Sequence, residues 1–115
     1  MLTQEDIEKL EAQHGMIAHC KGKVVEDRNG KKYNEWEVVL KKAPRKIYKV
    51  FRSMANNPTQ AADAQEFAMR NMVVHPPLEA LDALLEQYPG IPESKSVVNA
   101  IKTMFGIESD ETGKV

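Results

Sequence analysis

Cysteine is nearly absent from this chain: of 115 residues only Cys20 carries a thiol. No disulfide can close within the chain, and a reducing compartment is the default for such a composition. The opening residues, MLTQEDIEKL, lack the basic start and apolar run of a secretory signal. Nowhere does an apolar stretch approach the roughly 20 residues that a membrane span requires. The expectation is a protein of the cytoplasm. An excess of one charge sign is also missing. Sixteen Lys and Arg face seventeen Asp and Glu, a formal net charge of −1, so no overall field draws the chain to nucleic acid or to a membrane. Glycine is sparse and scattered, at positions 15, 22, 30, 90, 106 and 113, which excludes a Gly-rich phosphate loop.

Soft metal ligands are few: His14, His19, Cys20 and His75. His14 and His19 straddle an expected helix end, and His19 and Cys20, adjacent on a strand, point to opposite faces. Neither pair has structural-zinc spacing, so no metal and no cofactor is expected. His19 beside Cys20 is a poor nucleophile–base pair, because sequence neighbours are rarely the spatial partners that activate a thiol. A lone cysteine is more often a small buried apolar residue. The carboxylates fall on amphipathic helices, where a solvated face is their ordinary role. The chain carries no catalytic signature and reads as a non-enzyme.

What is present is a change of period between Trp36 and Met54. Trp36, Val38 and Leu40 alternate as one face of a strand, with Glu37 and Lys41 on the other. Pro44 suits the first turn of a helix, and Ile47, Val50, Phe51 and Met54 then repeat at i, i+3, i+4 and i+7 as one helical face. Trp36 belongs with the core residues of its strand.

Around this stretch the remaining elements follow in order. Thr3 with Asp6 starts a short polar helix that ends at Gly15. Met16–Cys20 and Lys23–Asp27 are strand pieces, and Asn29-Gly30 marks a type I′ hairpin turn that pairs Val24–Val25 with Tyr33–Leu40. Asn57 and Pro58 begin a helix with Ala61, Ala64, Phe67, Ala68 and Met72 on its inner face. Val73–Pro77 is extended, since a residue before proline avoids the α region. Leu81, Leu84, Leu85 and Tyr88 stripe the next helix. A last one starts near Glu93 or Ser94, buries Val97, Val98, Ile101, Met104 and Phe105, and stops at Gly106. The expected architecture is α+β: a short N-terminal helix, a small antiparallel hairpin or sheet, and about four helices packed on it. Residues 1–107 form a single domain, of a size that buries roughly two thirds of its unfolded surface, and residues 108–115, ESDETGKV, a disordered polar tail.

Charge is segregated along the chain. Residues 38–75 hold seven Lys and Arg against Asp63 and Glu66, a net of +5, whereas residues 76–115 net −4. Such asymmetry suits contact with a partner or with further copies of the chain. Lys41, Lys42, Arg45, Lys46 and Lys49 are the candidate partner-binding residues, although a run of lysines also serves solubility. Tyr48 and Phe51 interleave with them, so a nucleic-acid-binding or regulatory module is the rival reading. The missing domain-wide basic charge counts against it.

The segments EWEVVLKKAPRKIYKVFR, MVVHP, LEALDALLEQYPGIP and VVNAIKTMFG together resemble the bacteriophage (prophage) tail assembly chaperones, over roughly residues 14–106. The chain departs from that pattern at Pro77, in place of a Ser- or Asp-like helix cap, and at Ala43, in a less charged corner before Pro44. The resemblance implies a protein made in the cytoplasm of a bacterial host. It would bind the tape-measure protein, keep it soluble, and help recruit tail-tube subunits without staying in the virion. It also implies a second, longer product made by ribosomal frameshifting. A minor structural protein of the virion is the remaining alternative.

Overall fold

Both faces and both edges of one strand are covered, and this organises the molecule. The computed structural model describes residues 1–107; the tail expected at 108–115 lies outside the described residues. Strand β4, Glu37–Lys41, runs antiparallel between β1, Ile17–Lys21, and β5, Val73–His75. Every residue from Trp36 to Leu40 is buried. Trp36, Val38 and Leu40 enter the main core, as their alternation predicts. Glu37 and Val39 point the other way and are buried too, so the second face of the strand is also covered.

The cause is α1, Gln4–His14, which covers the face that antiparallel sheets commonly leave wet. The Leu2 amide donates to Glu37 Oε1 at 2.9 Å. Leu2, Leu10 and His75 line one small cavity, and His75 stands opposite Val39 in the sheet. The helix begins in a capping box, with the Asp6 amide donating to Thr3 Oγ1 and the Thr3 amide to Asp6 Oδ2. It ends at Gly15, φ 80°. None of its residues is buried, so α1 is a polar cover rather than a core helix.

The Asn-Gly hairpin exists but stands apart from this sheet. Val25–Glu26 (β2) pairs with Lys32–Tyr33 (β3) and with no other strand, and Val24, Val25 and Tyr33 are exposed. Two expectations fail here. Asn34, at φ 63°, breaks the anticipated Tyr33–Leu40 strand in two; asparagine is among the few residues that tolerate that conformation. The turn is also not type I′. Gly30 alone has positive φ within it, and its amide donates to the Asp27 carbonyl. Asp27 Oδ1 accepts from the Asn29 and Lys31 amides, which gives a type I turn closed by a glycine bulge.

Four helices pack on the core face: α2, Arg45–Ala55; α3, Ala64–Met72; α4, Leu78–Gln87; and α5, Lys95–Phe105. Helix α3 starts later than its Asn57-Pro58 signal. Asn57 Oδ1 instead accepts from the Thr59 amide and hydroxyl, and a single 3-10 turn, Ala61–Asp63, precedes the helix. Ala64, Ala68, Met69 and Met72 of α3 are buried, whereas Ala61 is exposed. Val73 leaves α3 directly into β5, which fulfils the extended reading of Val73–Pro77. Helix α5 is capped as anticipated: the Val97 amide donates to Ser94 Oγ, and Gly106 closes the end at φ 73°.

Trp36 is held by a close backbone approach. The Gly22 amide donates to the Trp36 carbonyl at 3.0 Å, and a Cβ on Gly22 would fall 2.1 Å from the Asn34 carbonyl oxygen and 2.5 Å from Trp36 Nε1. Truncating Trp36 to Ala is expected to cost about 3–5 kcal/mol, read as the loss of denaturant midpoint at constant slope. An unchanged midpoint would mean that the indole contributes nothing to the core.

Candidate partner-binding surface

The chain leaves β4 through Lys41, which is half-buried opposite Ile17. Lys42 is exposed, and Ala43 packs against the core. Pro44 then occupies the cap of α2 at φ −62°, ψ 156°, one position earlier than expected, and offers no side-chain hydrogen bond to the helix. The first turn holds no acid, and Arg45 and Lys46 sit there instead. Two cations face the positive end of the helix dipole, each at a cost of about 0.3–1 kcal/mol.

Which side of α2 is buried decides where the charges point. At about 100° per residue, the inner arc runs from Met54 through Ile47 and Phe51 to Tyr48, all buried or half-buried. The Phe105 ring of α5 packs against Tyr48 and Phe51, with centroids 5.1 and 5.2 Å apart. Val50, expected in the buried stripe, falls outside this arc and is 46% exposed. The stripe is centred on Phe51 because α3 and the end of α5 both approach that side. The outer arc is therefore Arg45, Lys46, Lys49 and Arg52, with Val50 on its rim. The Arg52 guanidinium lies 5.6 Å from the Tyr48 ring centroid, a cation–π contact.

Of the five sequence candidates, the structure thus brings Arg45, Lys46 and Lys49 onto one exposed ridge of α2, with Lys42 exposed in the connection that leads into it and Lys41 partly withdrawn. Among the described residues, none of the five has a carboxylate within ion-pair distance; the pairs formed are Lys9–Glu5, His19–Glu37 and Arg70 with Glu66 and Asp82. Sequence reasoning placed Val50 in the core and left Arg52 out of the site. A wheel centred on Phe51 rather than on the fourfold apolar repeat would have found both.

Two further features adjoin Trp36. A groove of about 420 Å³ runs between the base of the hairpin and the α4–α5 turn, lined in part by Lys23, Asn34, Trp36, Tyr88 and Ile91. A second, of about 340 Å³, lies towards Pro76 and Leu84. Away from the ridge, His19 Nε2 and Glu37 Oε2 lie 2.5 Å apart beneath α1. Burial pushes the Glu37 carboxyl up, but the Leu2 amide and the His19 hydrogen bond and charge outweigh that and hold it below the usual value. Cys20, the next residue, points to the opposite face, where its thiol donates to the Ser96 carbonyl at 3.7 Å. Its burial raises the thiol pKa, which makes it a poor nucleophile. Among the described residues no helix is long and apolar enough to cross a membrane, and no three of His, Cys, Asp and Glu cluster as metal ligands.

Comparison with protein-family models, curated proteins and solved structures returns no match. The surface is accordingly read from its own geometry.

Two outcomes follow. Glu37 ionises more readily folded than unfolded, so its contribution to stability is present above the ordinary glutamate value of 4.5 and is lost as pH falls through the lower folded value. Glu37→Gln is expected to flatten the acid limb of a stability–pH curve; parallel curves for the two proteins would refute this. Lys46→Glu, which places an acid at the start of α2, is expected to raise stability by about 0.5–1 kcal/mol, checked by thermal unfolding.

Proposed function

We propose that this chain is a non-enzymatic assembly chaperone that binds its client through the basic ridge of α2. The single observation that carries the reading is uncompensated charge. Arg45 and Lys46 stand at the positive end of a helix, beside Lys42 and Lys49, with no carboxylate paired to them among the described residues. An acidic partner surface would relieve both the dipole conflict and the mutual repulsion. Val50 on the rim supplies an apolar contact for a protein surface, and the acidic second half of the chain argues against nucleic acid as the partner.

The resemblance to phage tail assembly chaperones supplies the particular client. On this reading the protein is made in the cytoplasm of a bacterial host, where it covers the tape-measure protein during tail morphogenesis and helps recruit tail-tube subunits. The physical logic is coherent, because a long helical client with an apolar stripe needs a covering partner until assembly. Helix-in-groove or strand-addition contacts at the grooves beside Trp36 and at the hairpin would extend the cover.

The test is co-expression of the candidate tape-measure protein with and without this chain, scoring the soluble fraction and co-purification. Increased solubility with co-purification is expected, and Lys42→Glu/Arg45→Glu is expected to abolish retention while unfolding cooperatively at a temperature no lower than the parent's. Retention by that double variant would remove the ridge from the interface. Salt-sensitive binding to DNA or RNA in place of client capture would mark a nucleic-acid module, and presence of the chain in purified particles a virion component.

A further inference from the structure

The sheet has an edge that the fold leaves open. In the order β1-β4-β5, each outer strand pairs on one side only. The Gly22 amide donates to the Trp36 carbonyl, and β1 keeps that register, with Cys20 opposite Val38 and Ala18 opposite Leu40. Hydrogen-bonded and non-bonded pairs alternate along an antiparallel ladder. The backbone groups of Ala18 and Cys20 therefore turn towards β4, and those of Ile17, His19 and Lys21 turn away from it. Among the described residues nothing accepts from these three amides or donates to these three carbonyls. Helices α1 and α5 pack on the two faces of β1, where His19 and Cys20 point in turn, and the edge lies between them. Ile17 and His19 are half-buried and Lys21 is exposed, so the row is not sealed from solvent. The opposite edge of the sheet is blunted, because β5 has only three residues and runs into Pro76. Strand β1 has five residues and no proline, and its one lysine is the last of them.

We propose that the free edge of β1 takes up an extended segment of a protein partner as a fourth strand, with acidic residues at the two ends of that segment. Unpaired strand groups are satisfied by another extended backbone, which is the chemistry of strand addition. Charge selects the segment. Lys21 and Lys23 are exposed at one end of the edge; at the other, Lys41 stands opposite Ile17 and the exposed Lys42 follows it. Among the described residues no carboxylate pairs with any of these four lysines, and Glu37 is committed to Leu2 and His19. Met16 before the strand and Val24 and Val25 after it are exposed, and they offer apolar contact to alternate side chains of the incoming strand. A second copy fits less well. Antiparallel pairing about a twofold axis at His19 would set His19 against His19 and bring the Lys21 of each copy towards the Lys41 of the other, like charge to like. The inference concerns the sheet and not the α2 ridge, so it goes beyond the client reading and does not depend on it.

The experiment uses the full chain and, as probe, a blocked heptapeptide of alternating valine and threonine with glutamate at each end, followed by amide hydrogen exchange. With the peptide at about ten times its Kd, exchange of the Ile17, His19 and Lys21 amides is expected to slow about tenfold. The same peptide N-methylated at the amides that face the edge has no donors for the three carbonyls and is expected not to bind, a control that leaves the protein untouched. Lys21→Pro removes a donor that the fold does not use, at a strand position whose N–H faces outward and so tolerates proline. At high salt, where the lysine charge is screened, Lys21→Pro is expected to weaken peptide binding about fivefold, whereas Lys21→Thr, which keeps the amide, is expected to bind as the parent does. Equal affinity for the N-methylated peptide, protection confined to residues 45–52, or no protection at any peptide concentration would overturn the proposal. Protection of the same three amides that appears without peptide and grows with protein concentration would overturn it in favour of a second copy on this edge. None of these readouts involves the tape-measure protein, so a negative result here leaves the client reading to its own test.

Discussion

Burial of β4 from Glu37 to Leu40 is the constraint on which the other elements depend. The middle strand pairs along its whole length with β1 and at Val39 and Leu40 with β5, but its two faces still need cover. The core face is apolar and takes the helices. The second face carries Glu37, and a buried carboxylate is costly unless it is hydrogen-bonded. Its two oxygens are met by the Leu2 amide and by His19, which also fix where the N-terminal helix lies. One acidic residue in an otherwise apolar strand thereby positions a helix that buries none of its own side chains.

The same strand sets the position of the basic ridge. Lys41 is the last residue that the sheet can partly cover, and Pro44 ends the extended run so that the chain turns at once into α2. With Phe51, Tyr48 and Met54 committed to the α3 and α5 side, the cations have no direction left but outward. Their exposure is a consequence of packing, whereas their lack of carboxylate partners among the described residues is not. Carboxylates at the first turn of α2 would stabilise the helix and are missing. A local rule broken without a compensating contact inside the described fold is the usual mark of a functional surface.

Much of this fold is legible in the sequence wherever a residue acts through its own backbone. Thr3 with Asp6, Ser94, Gly15 and Gly106 all cap as their chemistry dictates, and Val73–Pro77 is extended because proline restricts what precedes it. Legibility fails where the deciding partner is distant. Nothing in the alternation at Trp36–Lys41 shows that α1 will cover the Glu37 side, since the two hydrogen bonds to that carboxylate span 35 and 18 residues. The hairpin was found through Asn29-Gly30, but its turn type was set by the Asp27 side chain, and its separation from the sheet by Asn34. For the candidate site, the cations were visible and their clustering followed from helical spacing. The exposure of Val50 and the place of Arg52 depend on the packing of Phe105, which spacing alone does not show.

The charges at the start of α2 oppose its dipole, and the packing beneath the helix offsets that cost. A helix with Arg45 and Lys46 at its start gives up roughly 1 kcal/mol to its own dipole, yet it is anchored by an aromatic cluster of Tyr48, Phe51 and Phe105 whose contacts are worth about as much again beyond their buried area. The anchor lies within one turn of the charges it sustains, so the ridge can stay cationic without fraying the helix. That contact joins the end of α5 to the helix that carries the basic ridge. The cationic face of α2 is thus supported from beneath by Phe105, at the end of α5.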